Sequence, residues 1–116
     1  MLDVSIVSKI YVRCGYTDMR KGAYGLSLLS SEMLSGSRAY EVVIVYRGKR
    51  ANTLKIVWWD GHGYCLVTKY LEVRKFPWPN SDSKGYMEIT DGQFLMLMEG
   101  VEWRHPEPSS APECAG

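Results

Sequence analysis

Cysteine is scarce in this chain, and its spacing suits none of the architectures built on it. Cys14, Cys65 and Cys114 are an odd number with no C-x-x-C pair, which argues against a disulfide scaffold and for a reducing, cytoplasmic setting. Histidine is limited to His62 and His105, far apart in unrelated contexts, whereas a protein metal site normally needs three ligands. No apolar run approaches the roughly 18 residues of a membrane span. The opening MLDVSIVSKIYVR has acid before base and no cleavable apolar core, so neither a leader nor a membrane partner is expected. Phosphate-binding glycine loops, dinucleotide fingerprints, zinc fingers, nucleophile motifs and internal repeats are all absent. No cofactor and no catalytic residue is expected from such a sequence.

What remains is an ordinary globular composition, 46% hydrophobic over 116 residues. That length fits one domain able to bury roughly two-thirds of its unfolded surface. The domain is expected over residues 1–105, because PEPSSAPECAG from Pro106 onward has nothing to bury and reads as a disordered tail. The net charge of +1 conceals an asymmetry: residues 1–79 carry twelve Lys/Arg against six Asp/Glu, and residues 80–116 two against seven. A basic body with an acidic end suits nucleic-acid binding, although short chains also scatter charge unevenly.

Alternation places a strand at 9–13, where Ile10 and Val12 oppose Lys9, Tyr11 and Arg13. Thr17 fits a helix N-cap and Asp18 the positive end of a dipole, predicting a helix over 18–34 that SGSR at 35–38 ends. Met19, Tyr24, Leu28 and Leu29 mark its apolar flank, widened by Ala23, Leu26, Ser30 and Met33, and Gly22 and Gly25 suggest close packing against a sheet. Strands follow at 41–47, 53–59 and 64–71, with Cys65 expected to be buried. Asp60-Gly61-His62-Gly63 links the last two as a two-residue turn or a longer glycine-rich loop. Pro77 and Pro79 keep FPWP out of any interior strand. Met87 to Ile89 reads as a short edge strand, and Thr90 with Gln93 as a capping box opening a short helix that ends at Gly100. The expected fold is α+β: a small, mainly antiparallel meander packed against one longer helix, with a short C-terminal helix.

Candidate site residues concentrate between Tyr46 and Pro79. Arg47, Lys49 and Arg50 lie within four residues on a glycine-containing turn, where arginine forks and backbone amides can meet phosphate oxygens. Arg13, Lys55, Lys69, Arg74 and Lys75 extend this footprint if strand geometry puts them on one side. Asn52 suits either a phosphate or a base edge. Arg20 and Lys21 would approach phosphate beside free helix amides, or simply pair with Asp18 and water. An ordinary solvated turn accounts for the same charges. Trp58 and Trp59 must face opposite ways in a regular strand, so one is core and the other a cover, an interface anchor or a stacking platform. Asp18, Asp60 and His62 admit a metal or acid–base reading, but a turn aspartate bonding its own backbone is simpler.

TDMRKGAYGL at 17–26, the block from Val45 to Glu72, FPWP at 76–79 and EGVEWRHP at 99–106 together resemble the TnpB accessory family of insertion sequences of the IS sixty-six type. The resemblance spans nearly the whole chain up to Pro106. It departs from the family's usual pattern at Tyr70, where a second basic residue is common, and at Lys75, where a small residue is. The family is distinct from the RNA-guided nucleases that share the name. The resemblance implies a non-catalytic accessory role in DNA transposition beside the element's larger transposase; transposon DNA as a partner is the hypothesis that the basic turn adds, and a homo-oligomer is compatible with both. Two alternatives stand beside DNA binding. One is a purely protein-binding adapter anchored by Trp59, Trp78 and Trp103; the other is a metal-dependent nuclease using Asp18 or Asp60.

Overall fold

Val42–Arg47 carries apolar residues on both sides, so as a strand it needs cover on both sheet faces. In the computed structural model, which describes residues 9–31, 42–79 and 85–104, that strand is the centre of a five-stranded sheet. Its Ile44, Val45 and Tyr46 are wholly buried. The strands are β1 (Lys9–Arg13), β2 (Val42–Arg47), β3 (Thr53–Trp59), β4 (Tyr64–Tyr70) and β5 (Tyr86–Ile89), in the spatial order β4-β3-β2-β1-β5. The meander β2-β3-β4 is antiparallel, as its short links require. β5 runs antiparallel along β1 as the short edge strand. β1 pairs with β2 in parallel, which makes the sheet mixed.

The two faces bury different layers. One holds Val12, Val45, Ile56, Met87 and their neighbours, covered by Phe76, Trp78, Trp103 and the helix α2 (Asp91–Met98) through Phe94 and Leu97. The other holds Ile44, Tyr46 and Val57, covered by Leu26 of the helix α1 (Ala23–Leu29) with Met19 at its border. The mixed sheet packed between helices is the expected α+β fold, with cover on both faces.

The first helix is corrected in length and in face. It has seven residues and starts from Gly22, which makes no side-chain cap; Thr17 lies upstream of that start, where its amide donates to the Arg47 carbonyl at 2.8 Å. Leu26, Ser27 and Ser30 face the sheet, while Tyr24, Leu28 and Leu29 point outward. The glycines do not serve close packing: a Cβ at Gly22 would meet nothing within 4 Å, and one at Gly25 only the Lys21 side chain. Residues 32–34 of the expected helix and the SGSR segment lie outside the described residues, as does the tail from Pro106. Cys65 is half-buried rather than buried, since β4 is the other edge of the sheet.

Sheet tyrosines supply what so short a helix lacks. The Tyr46 hydroxyl donates to the Leu26 carbonyl at 2.9 Å and Tyr86 reaches the Leu29 carbonyl at 3.0 Å; both meet the Ser30 hydroxyl. These contacts satisfy carbonyls at the helix end, which otherwise have no partner. Burial pushes the Tyr46 phenol well above its usual range. Helix α2 has the expected capping box: the Gln93 amide donates to the Thr90 hydroxyl at 3.1 Å and the Thr90 amide to the Gln93 side chain at 2.9 Å.

The FPWP segment is held in place by its indoles. Trp78 Nε1 donates to the Arg13 carbonyl and Trp103 Nε1 to the Pro77 carbonyl, each at 2.8 Å, and the two rings meet edge-on at 6.1 Å. Arg104 completes the clamp by donating to the Trp78 carbonyl at 2.7 Å while its guanidinium grips Glu102.

Replacing Tyr46 with Phe strands the Leu26 carbonyl in the core. The expected loss is about 1–3 kcal/mol in a urea titration, against a near-neutral Tyr24→Phe at the exposed helix face. The Arg104 guanidinium, bonded to Glu102, holds that carboxyl down from 4.5 to about 2. Because the folded value is the lower one, this contribution is complete above about pH 4.5 and disappears as pH falls through about 2. The Glu102 side chain is 58% exposed, so the pair is worth under about 1 kcal/mol. Glu102→Gln should flatten the acid limb of a stability–pH curve and leave its neutral plateau nearly unchanged.

Candidate functional site

β1 and β2 are adjacent and parallel, so the segments that follow them leave the sheet at the same end. The chain after β1 turns at Gly15, whose φ of +76° lies in the left-handed region. It then runs beside the turn after β2, where Thr17 is tied to the Arg47 carbonyl. An open groove of about 520 Å³ lies between them, lined by Tyr16, Thr17, Asp18, Met19 and Arg20 on one wall and Gly48, Lys49, Arg50 and Thr53 on the other. The TDMR and RGKR blocks, some thirty residues apart in sequence, are thus two sides of one feature.

The basic turn is rigidly backed. Gly48 N–H donates to the Thr53 carbonyl and Ala51 N–H to the Gly48 carbonyl, both at 3.0 Å, and Ala51 adopts φ of +68°. Leu71 N–H donates to the Asn52 carbonyl at 2.9 Å and Phe76 N–H to the Ala51 carbonyl at 2.7 Å. The segment 72–75 therefore starts and ends against this turn, which brings exposed Arg74 and Lys75 to the same end of the sheet as Lys49 and Arg50. Asn52 is half-buried and its side-chain oxygen accepts from the Thr53 hydroxyl at 3.1 Å.

RGKR itself is divided. Arg47 turns to the α2 face, donates to the Phe76 carbonyl at 2.9 Å and stacks 5.6 Å from the Trp78 ring. Its Nε is buried without a hydrogen-bond partner among the described residues, and burial beside the Arg104 charge lowers its pKa. Lys49 and Arg50 are exposed, and among the described residues neither is in an ion pair. The Lys49 ammonium lies 5.7 Å from the Tyr16 ring centroid.

Across the groove, Asp18 accepts from the Arg20 amide at 2.9 Å and from its guanidinium through both oxygens, the closest contact being 2.8 Å. Those bonds to Arg20 hold the Asp18 carboxyl far below the usual carboxylate range. With Arg20 and Asp18 cancelling, the charge of the groove is set by Lys49 and Arg50. Arg20 and Lys21 are not beside free helix amides, because the helix begins only at Ala23. The Lys21 carbonyl instead accepts from Lys55 Nζ at 2.8 Å.

The structure does not gather the remaining candidates into one footprint. Lys55 lies on the α1 face, whereas Lys69 lies on the opposite face and donates to the Met98 carbonyl. Trp58 packs against the α2-side core; Trp59, half-buried on the other face, meets Tyr64 edge-on at 4.8 Å. Trp78 and Trp103, expected as anchors for a partner, are core residues only 4% and 2% exposed. Asp60 closes its loop as expected of a turn aspartate, accepting the His62 and Gly63 amides at 2.8 and 2.9 Å, and these bonds lower its pKa. The connection is the longer, glycine-rich one, with Gly61 at φ of +100°. Among the described residues no three His, Cys, Asp or Glu side chains are grouped to hold a metal ion, and no helix is long and apolar enough to cross a membrane.

The profile of the IS66 Orf2 like proteins matches residues 8–108, which takes in every described residue and both walls of the groove. The chain belongs to that family. Among similar proteins, the uncharacterized protein y4hO of Sinorhizobium fredii (strain NBRC 101917 / NGR234) is 35% identical over 108 residues, covering 93% of each chain. The uncharacterized protein y4jC of the same strain is 33% identical over 95 residues, 82% of this chain and 80% of that one. No solved structure matches. Membership in the IS66 Orf2 like family links the chain to insertion sequences of that type, and the fold gives this chain's own sequence blocks two kinds of work. FPWP and EGVEWR build the core clamp, while TDMR and the GKR end of the basic turn line the groove.

Gly48 keeps those two blocks in contact: a Cβ there would stand 2.5 Å from Met19 Cγ. Gly48→Ala should destabilise the protein by about 1–3 kcal/mol through overpacking. A thermal melt of the double variant with Met19→Ala should recover part of that loss, because the second change removes the clashing atom.

Proposed function

We propose that this IS66 Orf2-like protein is a non-catalytic accessory factor of transposition that holds the element's DNA by its phosphates at the groove between residues 16–20 and 48–53. The observation that carries this reading is the pair Lys49 and Arg50, exposed on a rigid turn and outside any ion pair among the described residues. Arg74 and Lys75 at the same end of the sheet enlarge the cationic surface. Phosphate contact by such groups releases counterions and makes affinity salt-dependent. Lys55 and Lys69, occupied with backbone carbonyls, are not needed for it.

The adapter reading has an observation of its own. Tyr24, Leu28 and Leu29 leave the outward side of α1 68%, 56% and 40% exposed, a surface suited to the larger transposase. The two readings are compatible, one at the sheet end and one on the helix.

A gel titration with the element's terminal DNA separates them. Reversing both charges (Lys49→Glu with Arg50→Glu) should weaken DNA binding at least tenfold and reduce the slope of log affinity against log salt by about 2. Lys9→Glu, at the other end of β1, should leave both nearly unchanged. An unaltered affinity in the double variant would leave the groove to another ligand.

A further inference from the structure

We infer that the groove takes an unpaired nucleotide rather than intact duplex, with Tyr16 as the platform on which its base stacks. The inference rests on the reading of the groove as a phosphate-binding surface and adds which form of nucleic acid it holds.

Tyr16 is 58% exposed between two neighbours of its turn that are buried, Cys14 at 3% and Thr17 at 7%. The backbone beneath it is pinned on both sides. Cys14 N–H donates to the Gly85 carbonyl at 2.9 Å and Thr17 N–H to the Arg47 carbonyl at 2.8 Å, with the left-handed Gly15 between them. The ring is therefore presented on a fixed backbone, whereas an aromatic serving the core would turn inward. It lines the groove, and a lysine ammonium stands 5.7 Å from its centroid.

One nucleotide needs that combination: a flat aromatic face for its base and a cation for its phosphate. The groove volume of about 520 Å³ falls in the range of small-molecule sites. In a duplex the base faces are already stacked on their neighbours, and reaching a side chain requires taking a base out of the stack. A tyrosine hydroxyl can also donate to a phosphate oxygen, so what points to a base is the exposed ring face on the groove wall, which a phosphate alone leaves unused. The chemistry therefore fits single strands, frayed ends or flipped bases.

Fluorescence anisotropy at low salt tests this with three labelled oligonucleotides: a single strand, its duplex, and a single strand of equal length whose sugars lack bases. The wild-type protein should bind the base-bearing strand about tenfold tighter than the abasic one and tighter than the duplex. Tyr16→Ala should erase the difference between the two single strands without changing their salt dependence, and Tyr16→Trp should keep it. Lys49→Glu should weaken both alike. Circular dichroism should show all variants folded, since Tyr16 and Lys49 are exposed. Equal wild-type affinity for base-bearing and abasic strands, or a Tyr16→Ala loss that is the same on both, overturns the inference and leaves phosphate binding standing. Failure to bind any of the three overturns the phosphate-binding reading and this inference with it.

Discussion

Because β1 and β2 lie side by side and point the same way, whatever follows each of them must emerge at one end of the sheet. An antiparallel pairing would have sent the two segments to opposite ends. Parallel neighbours cannot be joined by a tight turn, so the chain between them crosses a face, and α1 belongs to that crossing. The crossing brings α1 onto the face of β2 that Ile44 and Tyr46 need covered, and the groove descends from this one pairing. So does the second role of Arg47: as the last residue of β2 it offers its carbonyl to Thr17 while its side chain goes to the opposite face.

The two faces are stabilised by different means. The α2 side is an aromatic and aliphatic core closed by indole hydrogen bonds, in which the prolines of FPWP remove donors that an irregular buried segment would otherwise have to satisfy. The α1 side is thinner and relies on polar contacts, with tyrosine and serine hydroxyls meeting the carbonyls of a seven-residue helix. The second arrangement offers less apolar area and depends more on each individual bond being made.

Local signals were legible where the physics is local. Strand alternation at 9–13 and 53–59, the capping box at Thr90 and Gln93, and the Asp60 loop are settled by residues a few positions apart. The start of α1 was not, because the Asp18 carboxylate is taken by Arg20 and the Thr17 backbone is tied to Arg47, which holds this segment in the turn before the helix. Its buried face was missed because Tyr24, Leu28 and Leu29 outweigh Leu26 in any hydrophobic count. The parallel register of β1 on β2 depends on partners some thirty residues apart, which no window of the sequence displays. At the candidate site, Lys49 and Arg50 could be named from composition, but Tyr16 could not: a tyrosine after a glycine looks like punctuation until the turn is seen holding it outward. Arg47 and Lys69 show the opposite failure, cations whose charge the sequence advertises and whose donors the fold uses internally.

The contact between Gly48 and Met19 gives the groove an unusual division of labour. Its width is set where the Met19 side chain packs onto a residue that has no side chain of its own, and its charge by the neighbouring cations Lys49 and Arg50. Shape and charge therefore rest on different residues. A substitution that changes the charge at position 49 or 50 leaves the Gly48–Met19 contact, and the spacing it sets, in place.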